Sequence, residues 1–325
     1  MKALAPFLFG LSALASPALA QAPSPQAPLV FGAEVENVYI DAFVSHRGDP
    51  VAGLTAADFE LRDNGVAQRL ELATADAQPV QVILVFDMSN SLEGEKLRAL
   101  RAAGQALLAA LRPQDEATLF TFADEVRWLA KPSTDKAAVA RALESLEAGG
   151  GSPVMDALFA AITLPKTQGR SLLVLFTDGI DNSSWLDWQQ VRLVAERSNA
   201  LIHVVSLRRL EVPPVPTQSL NFRLQSVPSE VAPMIEFEHT RALREIAETT
   251  GGRTFEAESL ARLKTAFTDI AEAMSRRYVL RYAPEGVGRP GWHRIDLKLR
   301  GKRGEVRTRS GYWVAPVPSR TSAAR

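Results

Sequence analysis

Cysteine is absent from all 325 residues. That excludes a disulfide framework, a zinc–thiolate centre and thiol catalysis. Histidine is nearly as scarce. His46, His203, His239 and His293 are scattered and form no ligand spacing, so the open option for a metal is a hard, oxygen-bound cation. There is no excess of charge of either sign, with Lys plus Arg and Asp plus Glu at 37 each. Without a basic run, nothing in the charge pattern points to a nucleic-acid partner. A long apolar stretch is also missing. Residues 4–14 are mostly apolar, but too short and too broken by Pro6 for a membrane span. What is present is a 46% apolar composition, enough for a real core in one large domain or two modest ones.

Lys2, the apolar stretch 4–14 and Ala18-Leu19-Ala20 read as a secretory signal over residues 1–20, with cleavage expected near Ala20–Gln21. No Cys follows the cleavage site, which excludes a lipoprotein anchor. The mature chain is expected in the periplasm or outside the cell, with no transmembrane segment, resting on its core alone. Residues 21–30, Q-A-P-S-P-Q-A-P-L-V, read as a proline-rich linker. Residues 31–76 and 277–314 carry short alternating patterns typical of half-buried strands, and 315–325 reads as a frayed tail. The simplest way to cover one apolar face on each flank is to pack the two together as a small β domain.

Between them, residues 79–275 have a different texture. Continuous apolar runs at 81–86, 117–122, 172–176 and 201–207 alternate with helical patterns at 95–111, 136–146, 154–162, 188–197, 241–249 and 260–274. A short edge strand is expected near 253–256. This alternation predicts an α/β fold, a doubly wound and mainly parallel sheet with helices on both faces. Residues 305–312 are expected to return as a partner strand for 295–299. Residues 208–239 make an unusually long connection. Its five prolines disfavour regular helix, yet it is too apolar for a solvated linker. It is expected on the face where the parallel strands end.

In such sheets, ligands bind beyond the carboxyl ends of the strands, where strand order reverses. The run 81–86 ends in D-M-S-N-S, which places Asp87, Ser89 and Ser91 just past a strand. The run 172–176 ends in Thr177-Asp178-Gly179. A third loop, Gly149-Gly150-Gly151-Ser152-Pro153, delivers a hydroxyl ahead of a helix. Asp87, Ser89, Ser91, Ser152 and Asp178 together offer two carboxylates to balance a divalent charge and hydroxyls to fill further positions. Taken singly, each has an ordinary alternative, the two Asp as turn or cap residues and Ser152 as a helix cap.

The three motifs together resemble the von Willebrand factor type A domain with its metal-ion-dependent adhesion site. D-M-S-N-S at 87–91 is similar to that family's D-x-S-x-S. G-G-S-P-V-M-D-A at 150–157 is similar to its G-G-T-x-x-x-D-A, with Ser152 in place of Thr. T-D-G at 177–179 matches as it stands. The flanking segments 51–65, 276–282 and 306–312 resemble a secreted bacterial subgroup. The resemblance implies one Mg²⁺, with Mn²⁺ as a substitute, held by Asp87, Ser89, Ser91, Ser152 and Asp178. It also implies a protein partner whose Asp or Glu carboxylate completes the shell, and a non-enzymatic role in adhesion or assembly. One rival is a Mg²⁺-dependent phosphoryl-transfer hydrolase with Asp87 as nucleophile, but Ser89 stands where a second acid is needed. Another is a metal-free structural envelope protein. Trp185 and Trp188 have two readings, caps on the core or flanks of the metal face.

Overall fold

A computed structural model describes residues 37–73, 79–164, 170–177, 181–207, 232–288 and 290–314. The expected signal, linker and tail, Asp178 and most of 208–239 lie outside the described residues.

The described chain opens with β1 (Val38–His46), β2 (Asp49–Pro50), β3 (Phe59–Asp63), β4 (Val66–Gln68) and β5 (Glu71–Ala73). There follow β6 (Val80–Asp87), α1 (Glu95–Ala109), β7 (Glu116–Phe122), β8 (Val126–Ser133), α2 (Lys136–Glu144) and α3 (Val154–Thr163). Next come β9 (Arg170–Thr177), α4 (Trp188–Arg197), β10 (Ala200–Leu207), α5 (Ala232–Thr249), β11 (Thr254–Ala257) and α6 (Leu260–Ser275). The last strands are β12 (Tyr278–Tyr282), β13 (Gly291–Leu299), β14 (Glu305–Arg307) and β15 (Gly311–Val314).

Six strands form the central sheet in the order β11-β10-β9-β6-β7-β8. All pairs are parallel except β7 with β8. The continuous apolar runs follow from burial on both faces. On β6, Val82, Leu84 and Phe86 pack towards α1, α2 and α6, while Ile83 and Val85 pack towards α3, α4 and α5. Strand β9 repeats the alternation with Leu172, Val174 and Phe176 on one face and Leu173 and Leu175 on the other. The fold is therefore α/β and doubly wound. Strand β8 has no counterpart in the sequence expectations. Its residues are partly exposed, so no apolar run marks it, and Pro132 is tolerated because it lies on an edge strand. It is secured by Trp128, which stacks on Phe120 with ring centroids 5.5 Å apart and donates Nε1–H to Thr118 Oγ1 at 2.8 Å.

The flanking strands pair across the whole length of the chain. One antiparallel sheet runs β14-β1-β12-β5, with β2 beside β1, and the other runs β15-β13-β3-β4. Val38 lies opposite Tyr282 in the β1–β12 register, and Asp63 opposite Ile295 in β3–β13. A third core forms between the sheets around Ile40, Leu61, Leu280 and Tyr282. The expectation of one partner strand over 305–312 is corrected. Strand β14 pairs with β1, whereas β15 pairs with β13. The break between them leans on the α/β part. Ser310 N–H donates to Thr249 O at 3.1 Å, and Arg309 Nη2 to Ser198 O at 2.9 Å. A side chain at Gly251, where φ is +82°, would meet the Thr308 backbone at 2.5 Å, so glycine is required at this approach.

The 208–239 segment is corrected in part. Residues 232–239 belong to helix α5. Pro233 is compatible with it because it sits in the first turn, where the missing N–H has no intrahelical partner anyway. Among the described residues, no helix is long and apolar enough to cross a membrane.

Candidate functional site

Strands β6 and β9 are neighbours, but the chain leaves them in opposite directions. From β6 it crosses through α1 to β7, and from β9 through α4 to β10 on the other side. Their carboxyl ends therefore flank a crevice at the point where strand order reverses. Asp87 and Thr177 occupy those two ends.

Asp87 is fully buried. Its Oδ1 accepts the Ser89 N–H at 2.9 Å. Its Oδ2 accepts two hydroxyls from other segments, Ser152 Oγ at 2.8 Å and Thr177 Oγ1, at the end of β9, at 2.7 Å. Ser89 Oγ lies 3.0 Å from Ser91 Oγ. Exposure rises along this row, with Asp87 and Ser89 buried and Ser91 exposed. The structure thus brings together Asp87, Ser89, Ser91 and Ser152, four of the residues singled out from the sequence. Ser152 does not cap a helix; its hydroxyl is turned onto the carboxylate. The sequence reading missed Thr177 as a site residue, although it stands beside Asp178 in the T-D-G motif.

The loops are sutured by backbone bonds. Gly149 N–H donates to Met88 O at 2.7 Å and Met88 N–H to Phe122 O at 2.7 Å. Gly151 N–H donates to Asp124 Oδ1 at 2.9 Å. Gly150 has φ +94°, and a Cβ there would lie within 2.7–2.8 Å of Asp124. Within the glycine run, Gly150 is thus a steric requirement of this approach and not merely a flexible spacer.

The donor chemistry fits a hard cation. A hydroxyl that gives its proton to Asp87 keeps its oxygen lone pairs, and carboxylate plus hydroxyl oxygens are the ligands such ions take. Among the described residues, no group of three His, Cys, Asp or Glu is gathered to hold a metal. His203 is buried against β11, where Nδ1 accepts the Arg253 N–H at 3.0 Å, and burial lowers its pKa to about 3. It is a neutral structural link between β10 and β11.

The loop after β9 is joined to the same cluster. Asn182 N–H donates to Ser152 O at 3.2 Å, and Ser152 N–H to Asn182 Oδ1 at 2.9 Å. Asp181 accepts Ser184 N–H at 3.0 Å and Met155 N–H at 2.8 Å. Asp156 accepts Trp185 N–H at 3.0 Å and Leu186 N–H at 3.0 Å. The two tryptophans separate in role. Trp188 packs against the core under Arg192, while Trp185 is 95% exposed.

The family profile of the von Willebrand factor type A domain matches residues 82–182, the span from β6 to the loop after β9. Among curated proteins, the chain is similar to a "UPF0353 protein" of Mycolicibacterium paratuberculosis, 25% identical over 204 residues and covering 58% of each chain. It is also similar to human inter-alpha-trypsin inhibitor heavy chain H4, 30% identical over 160 residues, 45% of this chain and 17% of that one. The chain thus spans little more than half of the first relative and a small part of the second. Among solved structures, a von Willebrand factor type A protein from Catenulispora acidiphila aligns with TM-score 0.49 and 14% identity over 83% of this chain and 76% of that chain. The vWF domain of the type V pili tip protein Mfa5 from Porphyromonas gingivalis aligns with TM-score 0.45 and 14% identity over 61% and 95%. With the D-x-S-x-S and G-G-S loops and Thr177 meeting at the switch point of a doubly wound sheet, residues 82–182 carry a von Willebrand factor type A domain.

Proposed function

We propose that this protein is a secreted, cation-dependent protein-binding module of the adhesion or assembly type, without catalytic activity. The observation that carries the reading is the Asp87 cluster. A buried carboxylate at the strand-switch point receives the hydroxyls of Ser152 and Thr177, while Ser89 and Ser91 lead from it to the surface. In this reading Asp87, Ser89, Ser91 and Ser152, with Asp178, hold one Mg²⁺, or Mn²⁺ in its place. Thr177 orients Asp87. The bound ion supplies a Lewis-acidic position that a partner's Asp or Glu can fill.

Residues 1–20 act as the export signal in this proposal, which puts the mature chain in the periplasm or beyond. The flanks 31–76 and 277–314 serve as one β unit from which the 79–275 domain projects. The 208–239 segment, leaving the carboxyl end of β10, either shapes the partner surface or covers it.

Calorimetric titration of the mature chain with MgCl₂ tests the site. One binding event is expected, lost in Asp87→Ala with the circular dichroism spectrum kept. A wild-type chain that takes up no divalent ion at millimolar concentration sinks the reading. Capture from an envelope extract, with and without chelator, then tests whether partner binding follows the ion.

A further inference from the structure

A large side chain stands unused beside this cluster. Trp185 is 95% exposed, an unusual position for the residue with the most apolar area to hide. A mobile surface loop would explain such exposure simply, but this loop is tied down at several points. Asp156, in the first turn of α3, holds the N–H groups of Trp185 and Leu186. Asp181 holds those of Ser183 and Ser184 along with the Ser184 hydroxyl at 2.6 Å, and Ser184 Oγ in turn accepts Met155 N–H at 3.0 Å. Asp187 caps α4 by accepting Gln190 N–H at 2.8 Å. Each of these carboxylates is turned onto backbone. The indole is left as the outward feature of a fixed loop.

That loop is also coupled to the candidate site. Asn182 and Ser152 exchange backbone and side-chain hydrogen bonds, and the Ser152 hydroxyl is on Asp87. Asp156, which holds the Trp185 N–H, lies in the first turn of α3, and Ser152 stands just ahead of that helix. The indole is thus carried by a loop that hydrogen-bonds directly to a site residue. A fixed, exposed aromatic ring has low ordering cost on binding, and Trp is enriched among the residues that dominate protein interfaces.

We propose that Trp185 is the apolar anchor of the partner-binding face. It would recognise a protein segment carrying an aromatic or proline side chain close in sequence to the acidic residue that the cation takes. The proposal rests on the cation-dependent reading above and adds the second half of the recognition element. The carboxylate fixes the segment at the ion, and the neighbouring flat side chain stacks on the indole.

The test is a library of nine-residue peptides with a central Asp and randomised flanks, panned on the mature chain in MgCl₂. Enriched peptides are expected to keep Asp and to place an aromatic residue or Pro at a recurring flanking position. Panning on Trp185→Ala is expected to keep the Asp and lose the flanking preference. The wild-type consensus peptide is expected to bind that variant more weakly by on the order of thirtyfold, with Trp185→Phe recovering most of the loss. The Mg²⁺ titration of Trp185→Ala should equal that of the wild type, which shows that the fold and ion site are intact. Equal flanking preferences and affinities for wild type and Trp185→Ala, with Asp and Mg²⁺ still required, overturn the anchor and leave the cation reading standing. Selected peptides that ignore both chelator and Asp, or the lack of any Asp-dependent peptide, overturn the cation reading and the anchor with it.

Discussion

Asp63 in the flanking sheets and Asp87 at the end of β6 are both fully buried, yet they are held in opposite ways. Asp63 ends β3 but has strand partners on both sides, Ile295 and Val66. Its Oδ2 accepts the hydroxyls of Tyr282 and Tyr312 at 2.8 Å each, and its Oδ1 lies 3.0 Å from His293 Nδ1. All three partners are large, buried and braced by sheet positions. Burial above all, with the Asp63 hydrogen bond adding, pushes both phenols up, so they stay protonated donors. Asp87 lies at a strand end. Its side-chain partners include the small hydroxyls of Ser152, on the glycine loop, and Thr177, at the end of β9, and the cluster opens to the surface through Ser91. A carboxylate walled in by aromatic donors can only hold the structure together. A carboxylate ringed by hydroxyls has partners able to turn towards something else.

This contrast can be broken by mutation. The largest effect is expected from Asp63→Ala, which strands two phenols and an imidazole in the core. It should cost about 3–5 kcal/mol, read as a lowered urea midpoint with unchanged slope. If it melts like wild type, the network is not holding the flanks. An intermediate effect is expected from acid. His203 is buried, and its folded-state pKa of about 3 lies below the ordinary 6.5. Its contribution is therefore complete above about pH 6.5 and is lost as pH falls towards 3. At pH 5 the loss should be about 2 kcal/mol relative to pH 8. His203→Gln should flatten that part of the pH profile, and an unchanged profile would contradict the neutral link.

Asp87→Asn should be milder for folding than Asp63→Ala. In chelator its stability should fall by about 1 kcal/mol, while calorimetric Mg²⁺ uptake disappears. A collapse as large as that of Asp63→Ala would put the two carboxylates in one class. The smallest effect on stability belongs to Ser91→Ala. An exposed hydroxyl should leave the melt within about 0.5 kcal/mol of wild type, yet Mg²⁺ affinity should drop several-fold. An unchanged titration would remove Ser91 from the site.

The sequence exposed these two regions unequally. The strands β6, β9 and β10 are buried on both faces, so their apolar runs stand out, and the polar residues ending β6 and β9 mark the crevice. Ser152 was ambiguous in one dimension, because the same residue type caps helices. Only the spatial meeting with Asp87, from a loop 65 residues away, decides it. Asp124 and Asp181 were silent, and Asp156 stood in the G-G-S-P-V-M-D-A motif without a role, since a carboxylate that captures backbone N–H groups of a distant loop looks like any polar residue. Strand β8 was hidden by its exposure. The split of 305–312 was hidden because Thr308 to Ser310 leave the sheet to contact the α/β part, a choice made by tertiary contacts and not by alternation. Asp63 gave no signal at all. Its partners lie up to 249 residues away.

Those same distances set an order of events in folding. Apart from the β1–β2 and β3–β4 pairings, the early strands find their partners in β12, β13 and β14, beyond the entire α/β region. Closing so long a loop carries a large entropic cost, and non-local pairing is slow. The α/β region, rich in nearer contacts between consecutive strands and helices, is positioned to condense first and bring the two ends of the flanks close. Its folding shortens the effective loop that β1 and β12 must close. A mutation that slows the α/β core, such as a cavity at Phe86 or Phe176, should therefore delay protection of β1 amides in pulsed hydrogen exchange. The reverse dependence, in which damage to the flanks slows the core, should be absent.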